Sequence, residues 1–236
     1  MLKQRRLEPE WMDDPALEAG LHAGAMEGLE RINTLSNSAG LLWPALRGLA
    51  REINGRPVKV LDIATGAGDV PIRLWLKARR TGLPLQVEAC DRSGHAVEHA
   101  RRRAAKAGAG VRFFPLDPFS SGIPPGYDAV ICSLFLHHLS GDQAVTLLRG
   151  MAGAAGRLVA VNDLRRSGAG LALAYAGTRL LTRSPVVHAD GPRSVRAAFT
   201  LQEIRAMAQQ VGLENCRVSP RWPCRFLLTW SKPAHA

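Results

Sequence analysis

Residues 58–71, V-K-V-L-D-I-A-T-G-A-G-D-V-P, decide the fold of this chain. A β-branched apolar run ends in a glycine turn, and a carboxylate stands on either side of that turn, Asp62 before it and Asp69 after it. A strand that leads into a glycine turn is typical of α/β sheets that bind nucleotides. The stretch therefore predicts a buried strand followed by a ligand-binding turn.

The two carboxylates restrict the ligand that this turn accepts. A phosphate-binding loop needs Lys and then Ser or Thr after its glycines, and neither follows here. A dinucleotide fingerprint matches at Gly66 and Gly68, but Pro71 occupies the position of its third small residue. Pyrophosphate would be repelled by Asp62 and Asp69, whereas a sulfonium or an ammonium would be attracted. We therefore expect a nucleoside ligand with a cationic tail.

Short apolar runs alternate with helical segments over the rest of the chain, which indicates βαβ units and a parallel sheet. Thr200 and Glu203 have capping-box spacing, which predicts that a helix begins there, and Gly212 is expected to end it. The strands expected after the first one are 85–91, 111–116, 127–133, 157–163, 214–219 and 225–231.

Two regions flank this pattern. The first 50 residues show helical periodicity on both sides of a turn-like polar centre at 33–38, and we interpret them as a helical cap. Residues 164–199 are rich in Gly, Arg and Pro, which indicates an inserted lid. The whole chain, 1–236, is then one domain with a helical cap (1–50), a cofactor-binding core (58–163), the lid (164–199) and a C-terminal helix with strands (200–231).

The composition is that of a globular protein, with 46% hydrophobic and 22% charged residues among 236. The net charge of +11 raises nucleic acid or an anionic membrane surface as a partner. Only five of the 31 basic residues are lysine, a bias that GC-rich coding produces by itself, so we do not expect nucleic acid binding. Four scattered cysteines, no secretory signal and no apolar stretch of about 18 residues predict a cytoplasmic protein without a membrane span.

The stretch V-L-D-I-A-T-G-A-G-D resembles motif I of the class I, Rossmann-like S-adenosylmethionine-dependent methyltransferases. The resemblance extends over about 58–165, with a continuation to 231, and is nearest to the ubiquinone/menaquinone-biosynthesis and small phenol O-methyltransferase branch. It implies an α/β three-layer sandwich around a mostly parallel seven-stranded sheet whose last strand is antiparallel. It also implies S-adenosylmethionine as the cofactor, a nucleoside with the cationic tail that the carboxylates favour.

The resemblance assigns cofactor contacts to the carboxyl ends of the strands. Asp91, about 20 residues past the glycines, is placed to accept hydrogen bonds from a ribose diol. Asp117 would lie near the adenine amino group, and Phe119 would pack on adenine. Ser133 and Leu134 would contact the methionyl part or the methyl group. The predicted cofactor-binding residues are Asp62, Ala64, Thr65, Gly66, Gly68, Asp69, Asp91, Arg92, Asp117, Pro118, Ser133 and Leu134.

Three residues after the fourth and fifth strands are candidates for the chemistry. His137 and His138 follow the fourth strand, and a neutral imidazole there is suited to take the proton of a phenol as its oxygen attacks the methyl group. Asp163 ends the fifth strand and is placed to orient the acceptor hydroxyl. The alternative is that a histidine of this pair only holds the backbone. No second carboxylate stands at ligand spacing, so we expect no metal.

Basic residues around the expected acceptor pocket are weaker candidates. Arg165, Arg166 and His188 belong to the lid, and Arg31 belongs to the cap; arginines there are suited to an acidic acceptor. The alternative is a solvated basic loop.

We therefore predict methyl transfer to a small phenolic or quinol-like metabolite, with O-methylation as the expected reaction. C-methylation of a related ring, and RNA or protein methylation through the basic surface, stay open. So do a non-catalytic cofactor-binding role, a residual NAD-dependent enzyme, and the choice between monomer and homodimer.

Overall fold

The computed structural model describes residues 2, 4–13 and 16–232. Its centre is one seven-stranded sheet in the order β3-β2-β1-β4-β5-β7-β6. Strands β1 to β5 are parallel, and β7 pairs antiparallel with both β5 and β6. This confirms the predicted fold. The strands are β1 Val58–Ile63, β2 Leu85–Asp91, β3 Arg112–Pro115, β4 Tyr127–Ser133, β5 Ala155–Leu164, β6 Arg217–Arg221 and β7 Arg225–Ser231.

Helices cover both faces of the sheet. One face packs against α5 and α8, and the other packs against α2 and α3. The described helices are α1 Ala19–Ser36, α2 Ser38–Ile53, α3 Asp69–Arg80, α4 Gly94–Ala107, α5 Gly141–Ala154, α6 Gly168–Leu181, α7 Pro185–Ala197 and α8 Leu201–Gln210, with short 3-10 helices at Trp11–Asp13 and Leu136–His138. No helix in the described part of the chain combines the length and the apolar character needed to cross a membrane.

The N-terminal helices include most of the segment 33–38 that was expected to be a turn. Helix α1 continues to Ser36, and the polar centre contracts to one left-handed residue, Asn37, before α2 begins. Helix α2 covers the sheet itself, because its apolar stripe, including Leu42 and Leu46, packs on β1, β4 and β5. Helix α1 packs on the lid region, through Ala25 against Val186 and Val187 of α7.

The segment 164–199, interpreted from the sequence as an inserted lid rich in Gly, Arg and Pro, contains a pair of helices, α6 and α7, that were not predicted. The side chains of Ser167 and Ser184 accept backbone N–H groups and cap the two helices. The backbone N–H groups of Trp11 and Met12 donate to the buried carboxylate of Asp190 on α7, over 2.9 and 3.0 Å. The chain's N-terminal segment (residues 4–13) therefore lies across the same helix pair.

Candidate active site

The glycine turn joins β1 to α3 in a conformation that requires glycine at one point. Gly68 has φ +77°, and a Cβ there would lie 2.9 Å from Ala100 Cβ and 3.0 Å from the Phe113 ring. Gly66 is also left-handed, at φ +55°. The turn can therefore approach a ligand with its backbone, and α4 packs directly beneath it.

Asp91 holds this turn in place. Its Oδ2 accepts the backbone N–H of Gly66 over 2.8 Å, and its Oδ1 accepts that of Ser93 over 2.9 Å. A carboxylate oxygen accepts more than one hydrogen bond, so both oxygens can still accept from a ribose diol. The location at the end of β2 is the one that the sequence predicts for this contact.

Asp62 lies beneath the turn and is 1% exposed. Its Oδ2 accepts the hydroxyl of Thr65 over 2.7 Å, and its Oδ1 has no hydrogen-bond partner among the described residues. Burial raises the pKa of Asp62 to about 7; the bond from Thr65 opposes the shift, and the charge of Asp91 adds to it. A buried carboxylate with one unpartnered oxygen suits a cationic ligand.

Asp69, the second carboxylate of the turn, already has a cationic partner. It forms an ion pair with Arg103 of α4, and that guanidinium also donates to the carbonyl of Ala67 over 3.1 Å. The charge of Asp69 is therefore largely offset, so selection of a cationic tail stays a prediction that depends mainly on Asp62.

A cavity of about 760 Å³ opens above the turn, within the size range of small-molecule sites. Six of the predicted cofactor residues line it, namely Ala64, Thr65, Gly66, Asp69, Ser133 and Leu134. Sequence reasoning missed its other walls, which include Met26 and Glu27 of α1, Ser38 and Ala39 of α2, and His95, His99 and Arg103 of α4.

Other predicted cofactor residues lie away from this lining. Arg92 is exposed just beyond β2. Asp117 accepts the backbone N–H of Phe119 over 2.9 Å, as in an ordinary turn, with Pro118 between them. Phe119 is 38% exposed. Contacts of these residues with adenine stay predictions.

His137 and Asp163 form a buried pair at the ends of β4 and β5. The Nδ1 of His137 lies 2.6 Å from Asp163 Oδ1, and its backbone N–H donates to Oδ2 over 3.1 Å. Burial opposes charge on both groups, but their mutual attraction is stronger: the pKa of His137 is raised and that of Asp163 is lowered. In this bond Nδ1 of His137 carries the proton and donates the hydrogen bond to Asp163. Nε2 is then the nitrogen that can accept a proton.

His138 differs from its neighbour. Its side chain is exposed, and its ring centroid lies 4.2 Å from that of His137. Packing around the ring and the charge of His137 lower the pKa of His138, so it is neutral at physiological pH. Of the two histidines, His137 is the one held by a carboxylate; it is 5% exposed, and neither histidine is among the residues that line the cavity.

Two residues of the N-terminal segment approach this pair, which no sequence pattern predicts. Arg5 donates to the carbonyl of His137 over 3.0 Å. Glu10 has a carboxylate oxygen within 4.8 Å of ring nitrogens of both histidines, a spacing that could hold a metal ion. The positive charges of Arg5 and Arg92 also act on His138 and oppose a cation there, so we propose no metal.

The side chain of Arg166 is buried and forms hydrogen bonds within the protein. It is 5% exposed and donates to the carbonyls of Ala198 and Leu2, over 2.8 and 3.2 Å, and to Glu203 over 2.6 Å. These bonds tie the N-terminal segment to the start of α8. A substrate contact of Arg166 therefore stays a prediction, and the described bonds of its guanidinium are all to groups of the protein.

The other basic candidates are scattered. His188 Nε2 lies 2.9 Å from the Thr182 carbonyl, and Arg31 is exposed, 3.9 Å from Glu27. Arg165 has a buried Nε without a partner among the described residues. None of the three is in the cavity lining, so substrate contacts from them stay predictions.

Comparison with known proteins agrees with this geometry. Residues 60–155 match the methyltransferase domain family. A curated relative, demethylmenaquinone methyltransferase of Thermus thermophilus, is 33% identical over 127 residues, which are 53% of this chain and 56% of the relative. The match thus spans about half the length of that relative.

Solved structures share the fold at low identity. The S-adenosylmethionine-dependent methyltransferase SibL has a TM-score of 0.69 at 23% identity, covering 92% of this chain and 60% of SibL. The plantazolicin methyltransferase BpumL, in complex with a substrate analog and S-adenosylhomocysteine, has a TM-score of 0.65 at 14% identity, covering 89% and 91%. Magnesium protoporphyrin IX methyltransferase of Synechocystis, with bound S-adenosylmethionine, has 0.55 at 16%, covering 94% and 88%.

These findings confirm the predicted resemblance. Residues 60–155 are similar to the methyltransferase domain family, and the chain shares the Rossmann-like fold of the solved S-adenosylmethionine-dependent methyltransferases.

Proposed function

We propose that this protein binds S-adenosylmethionine at the glycine turn and transfers its methyl group to the hydroxyl of a small phenolic or quinol-like acceptor. The unpartnered Oδ1 of Asp62 suits the ammonium of the cofactor. Asp91 at the end of β2 suits the ribose. The observation that carries the reaction is the buried His137–Asp163 pair at the neighbouring strand ends.

The chemistry needs one proton acceptor in this arrangement. The bound cofactor supplies an electrophilic methyl group. In this arrangement Nε2 of His137 would take the phenolic proton as the phenol oxygen attacks the methyl group that the cofactor would supply. Asp163 stabilises the imidazolium that results, and it holds the ring in one tautomer throughout.

The two adjacent histidines provide a matched test. In a mass-spectrometric methyl-transfer assay on a panel of phenols, His137→Gln should lose about a hundredfold or more in turnover, and His138→Gln should lose only a few-fold. Both variants should keep wild-type affinity for S-adenosylhomocysteine in calorimetry. Full activity in the His137 variant would remove the base from the proposal, and a panel with no methylated phenol would remove the O-methylation.

C-methylation of a related ring is the second candidate. The relative named for demethylmenaquinone, at 33% identity, favours it. An isotope-labelled methyl group in the product distinguishes the two by its NMR chemical shift, because a methyl on oxygen resonates far from a methyl on carbon.

A further inference from the structure

A buried polar row runs beneath the N-terminus of α2, and the proposed chemistry uses Asp62 at one end of it but neither Asn162 nor Arg225. On the α2 face of the sheet, Asp62, Ser133, Asn162 and Arg225 stand at the ends of β1, β4, β5 and β7, which are neighbouring strands. Asn162 is opposite Ser133 in the register, and Arg225 is opposite Leu164. His137 and Asp163 lie beside this row at the ends of the same central strands.

Arg225 is a buried cation without a carboxylate partner. It is 2% exposed, and Nη1 donates to Ser38 Oγ over 2.6 Å. Its Nε has no partner, and no carboxylate among the described residues lies within ion-pair distance. Burial lowers the pKa of Arg225 to about 10, and Asp163, whose charge opposes that shift, is already bonded to His137. A buried guanidinium of this kind costs stability unless an anion meets it.

The groups next to Arg225 are also unpartnered. Asn162 is fully buried, and neither its Oδ1 nor its Nδ2 has a partner among the described residues. The buried hydroxyl of Ser133 also has no hydrogen-bond partner among the described residues. The 16-residue helix α2 begins at Ser38, so its N-terminal N–H groups add positive potential at this point. The guanidinium of Arg225, the amide of Asn162, the hydroxyl of Ser133 and the N-terminus of α2 form a donor-rich buried cluster. Arg225 and Asn162 themselves are not among the residues that line the cavity.

The position of Arg225 points to the acceptor as the ligand of this cluster. Strand β7 lies three strands from β1, a separation of about 14 Å at the usual strand spacing, whereas the cofactor's carboxylate lies next to its ammonium at Asp62. Ser38 and Ser133 both line the cavity, so the cluster adjoins the ligand site.

We propose that Arg225, Asn162 and the N-terminus of α2 bind a carboxylate of the methyl acceptor, so that the acceptor is a phenol that carries a carboxylate. This inference rests on the proposed function. It adds what the acceptor looks like: one hydroxyl directed at His137 and one anionic group held by Arg225.

Matched ligands test the proposal by binding, independently of turnover. With S-adenosylhomocysteine present, calorimetry should show hydroxybenzoates binding at least about tenfold more tightly than the corresponding neutral hydroxybenzamides. Arg225→Met should abolish that preference, and Arg225→Lys should restore part of it. Arg221→Met is the matched control, because Arg221 is the exposed neighbour of Arg225 in the β6–β7 register and should keep the preference.

Stability gives a second measurement. Because Arg225→Met removes an uncompensated buried cation, its melting temperature should equal or exceed that of the wild type, which keeps the binding result interpretable. Equal binding of benzoates and benzamides overturns the inference even if phenols are methylated. If Arg225→Met loses as much affinity for S-adenosylhomocysteine as for the hydroxybenzoates, the inference is also overturned. The cluster would then bind the cofactor's carboxylate. Absence of any methylated phenol, with the carboxylate preference intact, contradicts only the proposed function.

Discussion

At the residue scale, the carboxyl group of Asp62 couples cofactor binding to a proton. Its pKa of about 7 means that much of it is protonated in the ligand-free protein near neutrality, whereas an ammonium beside it requires the carboxylate. Binding therefore releases a proton below this pKa. The affinity for S-adenosylhomocysteine should rise by up to about tenfold per pH unit as the pH rises toward 7 and then level off.

Calorimetry between about pH 5.5 and 8 measures this dependence. Asp62→Asn should bind more weakly, and its affinity should no longer change with pH through this group. Thr65→Val removes the hydroxyl bond that opposes the shift and keeps the carboxyl group, so its pH dependence should persist and move to higher pH. A flat affinity in the wild type would contradict the assignment of the ammonium to Asp62.

Asp163 sets the pH at which His137 can act. Because its charge and hydrogen bond raise the pKa of His137 against burial, the imidazole is protonated and inactive as a base at low pH. The rate should therefore rise with pH through this raised pKa. In Asp163→Asn the opposing effect of burial prevails, so the acidic limb of kcat/KM should shift to lower pH while the maximal rate falls. An unchanged limb would show that His137 does not titrate in the reaction.

At the element scale, the central strands were predictable because they are short apolar runs with both faces covered. Predicted strands 58–64 and 127–133 became Val58–Ile63 and Tyr127–Ser133. Helices α6 and α7 were missed because Gly and Pro lower intrinsic helix propensity, and tertiary packing against α1 outweighs that local preference. The serine caps at Ser167 and Ser184 were the available signal.

Gly68 provides the test at this scale, because it joins the turn to α3 and packs on α4. An alanine there combines a left-handed backbone with a Cβ 2.9 Å from Ala100, so Gly68→Ala should lower the free energy of unfolding by about 2–4 kcal/mol. Gly94→Ala is the control: nothing lies within 4 Å of its Cβ, and it begins α4. That variant should be neutral or slightly stabilising, by up to about 1 kcal/mol. Urea unfolding measures both, and equal stability of the two variants would contradict the packing argument.

At the scale of the whole molecule, the site combines residues that the sequence places far apart. The sequence predicts the cofactor turn because its residues are consecutive, and it predicts the histidines because strand ends meet at one edge of a parallel sheet. Arg5 and Arg225 have no such local signal. Arg5 contacts the carbonyl of Ala197, 192 residues away, and stacks 3.8 Å from the Phe199 ring centroid. Arg5 reaches these partners through the three-dimensional arrangement of α7 and the N-terminal segment.

That arrangement predicts separate effects on the cofactor and the acceptor. Deletion of residues 1–10 removes Arg5 and Glu10 from the surroundings of His137, but it leaves the glycine turn and the bonds of Trp11 and Met12 to Asp190. Affinity for S-adenosylhomocysteine should stay within about twofold of the wild type, while methyl transfer should fall by about tenfold or more.

The point variants Arg5→Met and Arg6→Met separate the charge at His137 from the mere presence of the segment. Arg5 touches the His137 carbonyl and its charge acts on His138, whereas the bond that Arg6 makes is from its backbone N–H to the Arg196 carbonyl. Arg5→Met should therefore reproduce part of the loss in turnover with unchanged cofactor affinity, and Arg6→Met should behave like the wild type. Equal turnover in the two variants would assign the segment a purely structural role. A parallel loss of cofactor affinity would show that the N-terminal segment supports the whole cavity rather than its acceptor side.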